Sequence, residues 1–303
     1  MSRSRGFTLI ELLVVIAIVA ILLSILIPAL NYAKAQASGA VCLHNMTGLI
    51  KAWYLYQEDY AGSLVGASNY YGGGRSTAYR WVERPLYRDT DNPDAGVALP
   101  TVNGDMRLEH QLAGLRAGEL YPYTGTEKIY HCPNDRNYKT NINGPWISYA
   151  GAGLMNSEDF SSRSNPPYGP ITAYRSVSGI PGRGTGQLYC VTKFNEVISP
   201  GEKYAFVEED YVVSHGQNYY AGGFVLMSSG YWYWWDWPAY YHKDRSTLAF
   251  ADGHAEKHYW RDPRTISIMT QKPLPTGGVA GANQPDNEDM AWMNRGYLPA
   301  GWR

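Results

Sequence analysis

The sequence predicts an α+β fold in which one long N-terminal α-helix packs on an antiparallel, β-rich C-terminal head. Three observations carry this reading. The first sixty residues pass from a purely apolar stretch into an amphipathic one without a clear break. The 303-residue chain holds 26 Tyr and 10 Trp against 6 Phe, a balance that suits strands and half-wet surfaces. With 32 Gly, 18 Pro and only 17% charged residues it is rich in turns, while its 45% hydrophobic content is enough for a buried core.

Residues 12–33 carry no formal charge. As a helix they extend about 33 Å, which matches a hydrocarbon core of about 30 Å. Arg3 and Arg5 precede them and set the N-terminus on the cytoplasmic side. Glu11 stands in the apolar run, where a stray charge costs about 2.5–3.5 kcal/mol, so it is tolerated near the interface or has a task. A secretory signal is one plain alternative, since Ala35-Gln36-Ala37 has the form of a cleavage site, but the apolar run exceeds the usual length of about 7–15 residues. An uncleaved anchor explains the length and the arginines and leaves Glu11 without a reason.

Past the span, Leu43, Met46, Leu49, Ile50, Trp53, Tyr56 and Tyr60 recur at helical spacing, and Asn45, Lys51, Gln57, Glu58 and Asp59 fill other positions. One face of this stretch is expected to dock on the head. Gly39 and Gly48 interrupt good helix formers and are expected to loosen it, at about 1 kcal/mol each relative to alanine.

The order Gly6-Phe7-Thr8-Leu9-Ile10-Glu11 resembles the processing signature of type IV prepilins and type II secretion pseudoprepilins. The resemblance implies a leader over 1–6, cleavage between Gly6 and Phe7 with methylation of the new N-terminus, a helix over 7–60 and a head over 61–303, in the lollipop shape of pilins. It implies that Glu11 neutralises the N-terminal amine of a neighbouring copy, since either charge alone would be penalised in apolar surroundings. Pro28 stands where these pilins carry a proline, which removes one helical hydrogen bond and bends the rod. The implied partners are prepilin peptidase, copies of itself or related pseudopilins, an inner-membrane assembly platform and the membrane. The implied location is the bacterial inner membrane with the head outside the cytoplasm, and a filament after processing. A net charge of −1 gives no electrostatic footprint for nucleic acid.

Within the head, a short strand is expected over 79–82 and a short helix over 110–117. Residues 89–94, Asp-Thr-Asp-Asn-Pro-Asp, set hard oxygen ligands at alternate positions, as calcium loops do, but lack the glycine and distal glutamate of an EF-hand; a solvated acidic turn is the preferred reading. Residues 144–183 read as long loops around a short strand over 146–149, and 203–208 reads as a strand. Eight aromatics crowd residues 231–242. They suit either a sugar-stacking platform presenting Trp234 and Trp235 or, preferably, a packing surface in a head poor in Phe. The segment after Gln271 is expected to wrap the head.

His242 is followed, nine residues on, by Asp252-Gly253. This resembles the H-X9-DG element of a family of prepilin-processed bacterial proteins with the same N-terminal signature. Asp252-Gly253 predicts a two-residue hairpin turn within 242–260, placing Leu248, Phe250, Ala255 and Tyr259 on the core face and His254, Glu256 and His258 on the other. His254 and His258 on one strand lie about 13 Å apart, too far to share an ion. A site from His242, Asp252 and Glu208 requires their strands to adjoin, and no metal is expected. The cysteines Cys42, Cys132 and Cys190 permit three single disulfides. The family resemblance, with its paired Cys-x-x-Asn and Cys-Pro elements, implies Cys42 with Cys132. No nucleophile elbow, zincin, phosphate-loop or dinucleotide motif is present, so assembly rather than catalysis is expected, without a cofactor. The rival functions are a glycan-binding adhesin on the same anchor and an anchored enzyme using His242 and Asp252.

Overall fold

The computed structural model describes residues 8–67, 80–83, 85, 108–140, 145–156, 174–210, 223–226, 230–243, 245–270 and 283–301. Gly6, Phe7, Tyr79 and the acidic stretch 89–94 lie outside them, and the strand expected over 79–82 is reduced to a single bridge between Arg80 and Gly66, followed by a bend. Helix α1 (Leu9–Asp59) continues through Pro28 for 51 residues. It opens with a capping box in which Glu11 N–H donates to Thr8 Oγ1 (3.3 Å) and Thr8 N–H donates to Glu11 Oε2 (2.9 Å). No residue of α1 before Ser38 is buried.

From Ser38 onward one face enters the head. Met46, Leu49, Ile50, Trp53 and Tyr56 are buried, as the apolar stripe requires, whereas Tyr60 is exposed. Asn45 and Gln57, expected outside, are buried as well. Asn45 Nδ2 donates to His131 O (3.1 Å) and Tyr149 Oη (3.2 Å), and Gln57 Nε2 donates to Trp53 O (3.1 Å), so neither amide loses its hydrogen bonds on burial. Gly39 and Gly48 seat the helix rather than loosen it. A Cβ on Gly48 would lie 2.1 Å from Ile129 Cδ1, and one on Gly39 would lie 3.0 Å from Lys257 Nζ.

The head is built from helices α2 (Leu108–Arg116), α3 (Tyr121–Thr124), α4 (Asn137–Thr140), α5 (Pro263–Thr270) and α6 (Glu288–Tyr297). Its strands are β1 (Tyr149–Ala152), β2 (Tyr174–Ile180), β3 (Gly184–Tyr189), β4 (Tyr204–Glu208), β5 (Gly223–Phe224), β6 (Arg245–Phe250) and β7 (Ala255–Tyr259). The main sheet runs β5-β1-β4-β6-β7, antiparallel except where β1 meets β5. The long helix followed by this mixed sheet is the α+β, pilin-like lollipop that the sequence predicts. Strand β1 begins where the expected strand ended. Part of the segment read as loop forms the separate β2–β3 hairpin, whose alternation is interrupted by a bulge between Ser178 and Ile180 around Gly179 (φ +79°). Helix α5 follows β7, and the segment after Gln271, expected to wrap the head, includes helix α6. Helix α6 is capped by Asn287 Oδ1, which accepts from Met290 N–H (3.0 Å), and it buries Met290, Met293 and Tyr297.

The β6–β7 turn differs from the expected one. Phe250 N–H donates to His254 O (2.8 Å) and Gly253 N–H donates to Phe250 O (2.9 Å), so Ala251 joins Asp252 and Gly253 in a three-residue loop. Gly253 adopts φ +96°, and Asp252 Oδ1 accepts from His254 N–H (3.1 Å), which together favour the longer turn. The extra residue shifts the register: Ala249 faces Ala255 and Leu248 faces Glu256. His254, Glu256 and His258 therefore share a face with Leu248 and Phe250, and Ala255 and Tyr259 take the other. Helices cover both sides. Lys257 reaches Gly39 of α1, while its neighbour His258 stacks on Trp292 of α6 with ring centroids 3.6 Å apart.

Candidate functional site

Two regions concentrate the residues that the sequence singles out. The first is the exposed half of α1. Leu9, Ile10, Ile16, Leu22, Ile25 and Leu30 are each more than half exposed, so this rod presents apolar surface on all sides. It is the one described helix long and apolar enough to cross a membrane. Glu11 stands at its N-terminal end, where Thr8 Oγ1 also donates to Oε2 (2.7 Å). The carboxylate is thus held at the helix N-terminus, where the backbone dipole favours an anion. Thr8 is a participant that sequence reading missed, although the Thr-x-x-Glu spacing of a capping box announces it.

The second region lies where α1 meets the head. His242, just ahead of β6, sets Nε2 3.0 Å from Glu208 Oε1 at the end of β4 and 3.5 Å from Cys132 Sγ. Its Nδ1 lies 3.3 Å from Ser38 Oγ on α1. Cys42 completes the group: one ligand-type atom from each of Cys42, Cys132, Glu208 and His242 lies within 4.8 Å of the others, and all four residues are buried. Glu208 Oε2 is turned outward and accepts from Thr247 N–H and Oγ1–H, both at 3.1 Å. Cys132 N–H donates to Ser148 Oγ (3.0 Å). Burial raises the Cys132 thiol far above its ordinary range, whereas its hydrogen bond to Cys42 lowers the latter. Burial opposes a charge on His242, but contact with Cys42 and Glu208 outweighs it and pushes the imidazole up to about 10.

Other expected associations fall apart here. Asp252 sits in the turn at the far end of β6, paired with His254 Nδ1 (2.5 Å), so His242 and Asp252 do not form a joint site. Cys42 and Cys132 are neighbours as free thiols, and Cys190 is a third buried thiol. Trp234 is wholly buried and donates from Nε1 to Gln284 Oε1 (3.2 Å), which removes it from any glycan-facing surface; Trp235 is 38% exposed. A large ring whose N–H finds a buried acceptor belongs in a core.

The nine-residue interval of the His-Asp-Gly element has a geometric reading. His242 meets α1 at Ser38, and the turn meets it at Tyr54, whose Oη donates to Ala251 O. Strand β6 therefore runs beside α1 in the same direction and is fixed to it at both ends. The sixteen residues from Ser38 to Tyr54 rise about 24 Å, a distance that the nine steps from His242 to Ala251 can cover, since they extend to at most about 30 Å.

Near this junction Asp135 is buried, accepting from Ser148 Oγ–H (2.7 Å) and Asn137 N–H (2.8 Å). Burial, only partly offset by those hydrogen bonds, raises its carboxyl to about 7. A raised folded-state value means that this group's full contribution is present below about pH 4 and is lost as pH rises through about 7. Asp135→Asn is therefore expected to gain stability relative to the parent chain between pH 4 and 8, by about 2–4 kcal/mol at the upper end. Denaturant titrations of both proteins across that range check this, and parallel pH profiles would refute it.

Residues 1–27 match the family model described as the prokaryotic N-terminal methylation motif. A stretch of 59 residues is 46% identical to the type IV wide pilus major component PilA4 of Thermus thermophilus, covering 20% of this chain and 45% of that protein. No solved structure matches.

Proposed function

We propose, from an N-terminal segment that is type IV pilin-like, that this chain is a structural subunit of a type IV pilus-like or type II secretion pseudopilus filament. The observation that carries the reading is the Thr8–Glu11 cap at the head of a helix whose first half is apolar all round and has no side chain buried among the described residues. Such a helix needs lipid or other helices around it, and a filament of copies supplies both in succession. Prepilin peptidase cuts between Gly6 and Phe7 while the helix rests in the inner membrane with the head outside the cytoplasm. Copies or related pseudopilins then gather at an assembly platform, with Glu11 of one paired to the Phe7 amine of the next. The function is assembly, with no catalytic step. Mass spectrometry of protein taken from its own envelope is expected to find a chain that begins at methylated Phe7. An intact leader, or a start at Ser38, would overturn the proposal.

A further inference from the structure

We propose that Cys42, Cys132, Glu208 and His242 form a closed zinc site that fastens the long helix to the head. The donors are two sulfurs, an imidazole nitrogen and a carboxylate oxygen, all buried and all within 4.8 Å of one another. Bonds of about 2.0–2.3 Å to a common centre place tetrahedral ligands about 3.3–3.8 Å apart, so small side-chain movements close the shell. The observed His242 Nε2 separations of 3.0 Å to Glu208 and 3.5 Å to Cys132 already lie near those edges.

The surroundings orient each donor inward. Thr247 holds Glu208 Oε2 through two hydrogen bonds and leaves Oε1 for the centre. Ser38 Oγ faces His242 Nδ1, which frees Nε2, and Ser148 anchors the Cys132 backbone. This outer ring fixes ligand geometry in the way metal sites require. Two thiolates and a carboxylate around a dication leave one negative charge. Lys257 lies close by: a Cβ on Gly39 would be 3.0 Å from Lys257 Nζ and 3.4 Å from His242 Cγ. Sulfur donors select zinc over calcium or magnesium, and four protein ligands leave no open position, so the ion is structural. Binding releases to solvent the protons carried by the two thiols and by His242 Nε2, since each must be free of its proton to ligate. The ligands come from α1, the turn after residue 130, the end of β4 and the segment before β6, so one ion joins the rod to three parts of the head. This revises the expectation of a metal-free chain and replaces the Cys42–Cys132 disulfide with a shared ligand pair.

The test uses the full chain, extracted in detergent under reducing, chelator-free conditions from its own cells. Elemental analysis is expected to find about one zinc per chain. Exchange for cobalt is expected to give the intense ligand-field bands of a tetrahedral site together with thiolate-to-cobalt charge transfer. Thr247→Val, which leaves all four ligands in place, is expected to weaken zinc binding by about 10–100-fold. Cys132→Ser is expected to weaken the charge-transfer band to about half, and Cys42→Ser/Cys132→Ser to abolish it. Metal-free protein with reactive thiols, a Cys42–Cys132 disulfide in the native envelope, or unchanged zinc content in a Cys42→Ser/Cys132→Ser chain would each overturn the proposal, whatever the outcome for filament assembly.

Discussion

Glu11→Leu is expected to leave the chain in the membrane and processed at Gly6, yet to remove it from filaments. In the proposed filament the carboxylate would face the amine of a neighbouring Phe7 within apolar helices. Removing one partner of such a buried pair costs about 3–5 kcal/mol, because the other charge is left uncompensated. That loss lowers the association constant of each contact by roughly two to four orders of magnitude. The same substitution also deletes the acidic half of the Thr8–Glu11 cap, worth about 1 kcal/mol. Thr8→Val separates the two effects, since it removes the cap hydroxyl and keeps the carboxylate. Sheared surface fractions should therefore contain the Thr8→Val chain and lack the Glu11→Leu chain. Filaments of Glu11→Leu at parental levels would sink the assembly role.

The second large effect is expected at Trp53. This ring is 2% exposed and lies edge-on to Tyr54 at 5.5 Å and to Phe194 at 6.0 Å, in the seam between helix and head. Trp53→Ala is expected to cost about 3–5 kcal/mol through lost burial and the cavity left behind. Leu55, two residues on, is 51% exposed, and Leu55→Ala is expected to change little. Urea unfolding of the full chain in detergent, followed by Trp fluorescence, measures both. A Trp53→Ala chain within 1 kcal/mol of the parent would mean that this seam does not hold the head (threshold about one ordinary substitution).

The parts legible in the sequence were those fixed by local periodicity. Met46, Leu49, Ile50, Trp53 and Tyr56 could be read as one buried stripe because helical spacing alone aligns them. Asn45 and Gln57 could not, because an amide enters a core only when partners such as His131 O and Trp53 O wait there, and those partners are set by packing or by a neighbouring turn. Asp252-Gly253 signalled a turn correctly. Its length depended on Ala251, whose backbone N–H donates to Lys203 O (2.7 Å) on a chain segment almost fifty residues away. The β2–β3 hairpin was hidden by the glycines that shape its bulge. Glu208 was recognised as a conceivable companion of His242, but the arrival of Cys42 and Cys132 at the same point is a product of topology. The N-terminal signature was legible in full because its chemistry is contained in six consecutive residues.

Strand β6 lies beside α1 and runs in its direction, and the residues flanking it, His242 and Ala251, are attached to α1 at Ser38 and again at Tyr54. A subunit tugged by its head while its helix is gripped by neighbours would feel tension along that shared axis. The seam is then loaded in shear, so its rows of contacts must slip together and cannot peel one at a time. Resistance to such a pull is governed by the barrier to rupture. The head can thus stay on its stalk under a drag force that would strip a domain hinged at a single end.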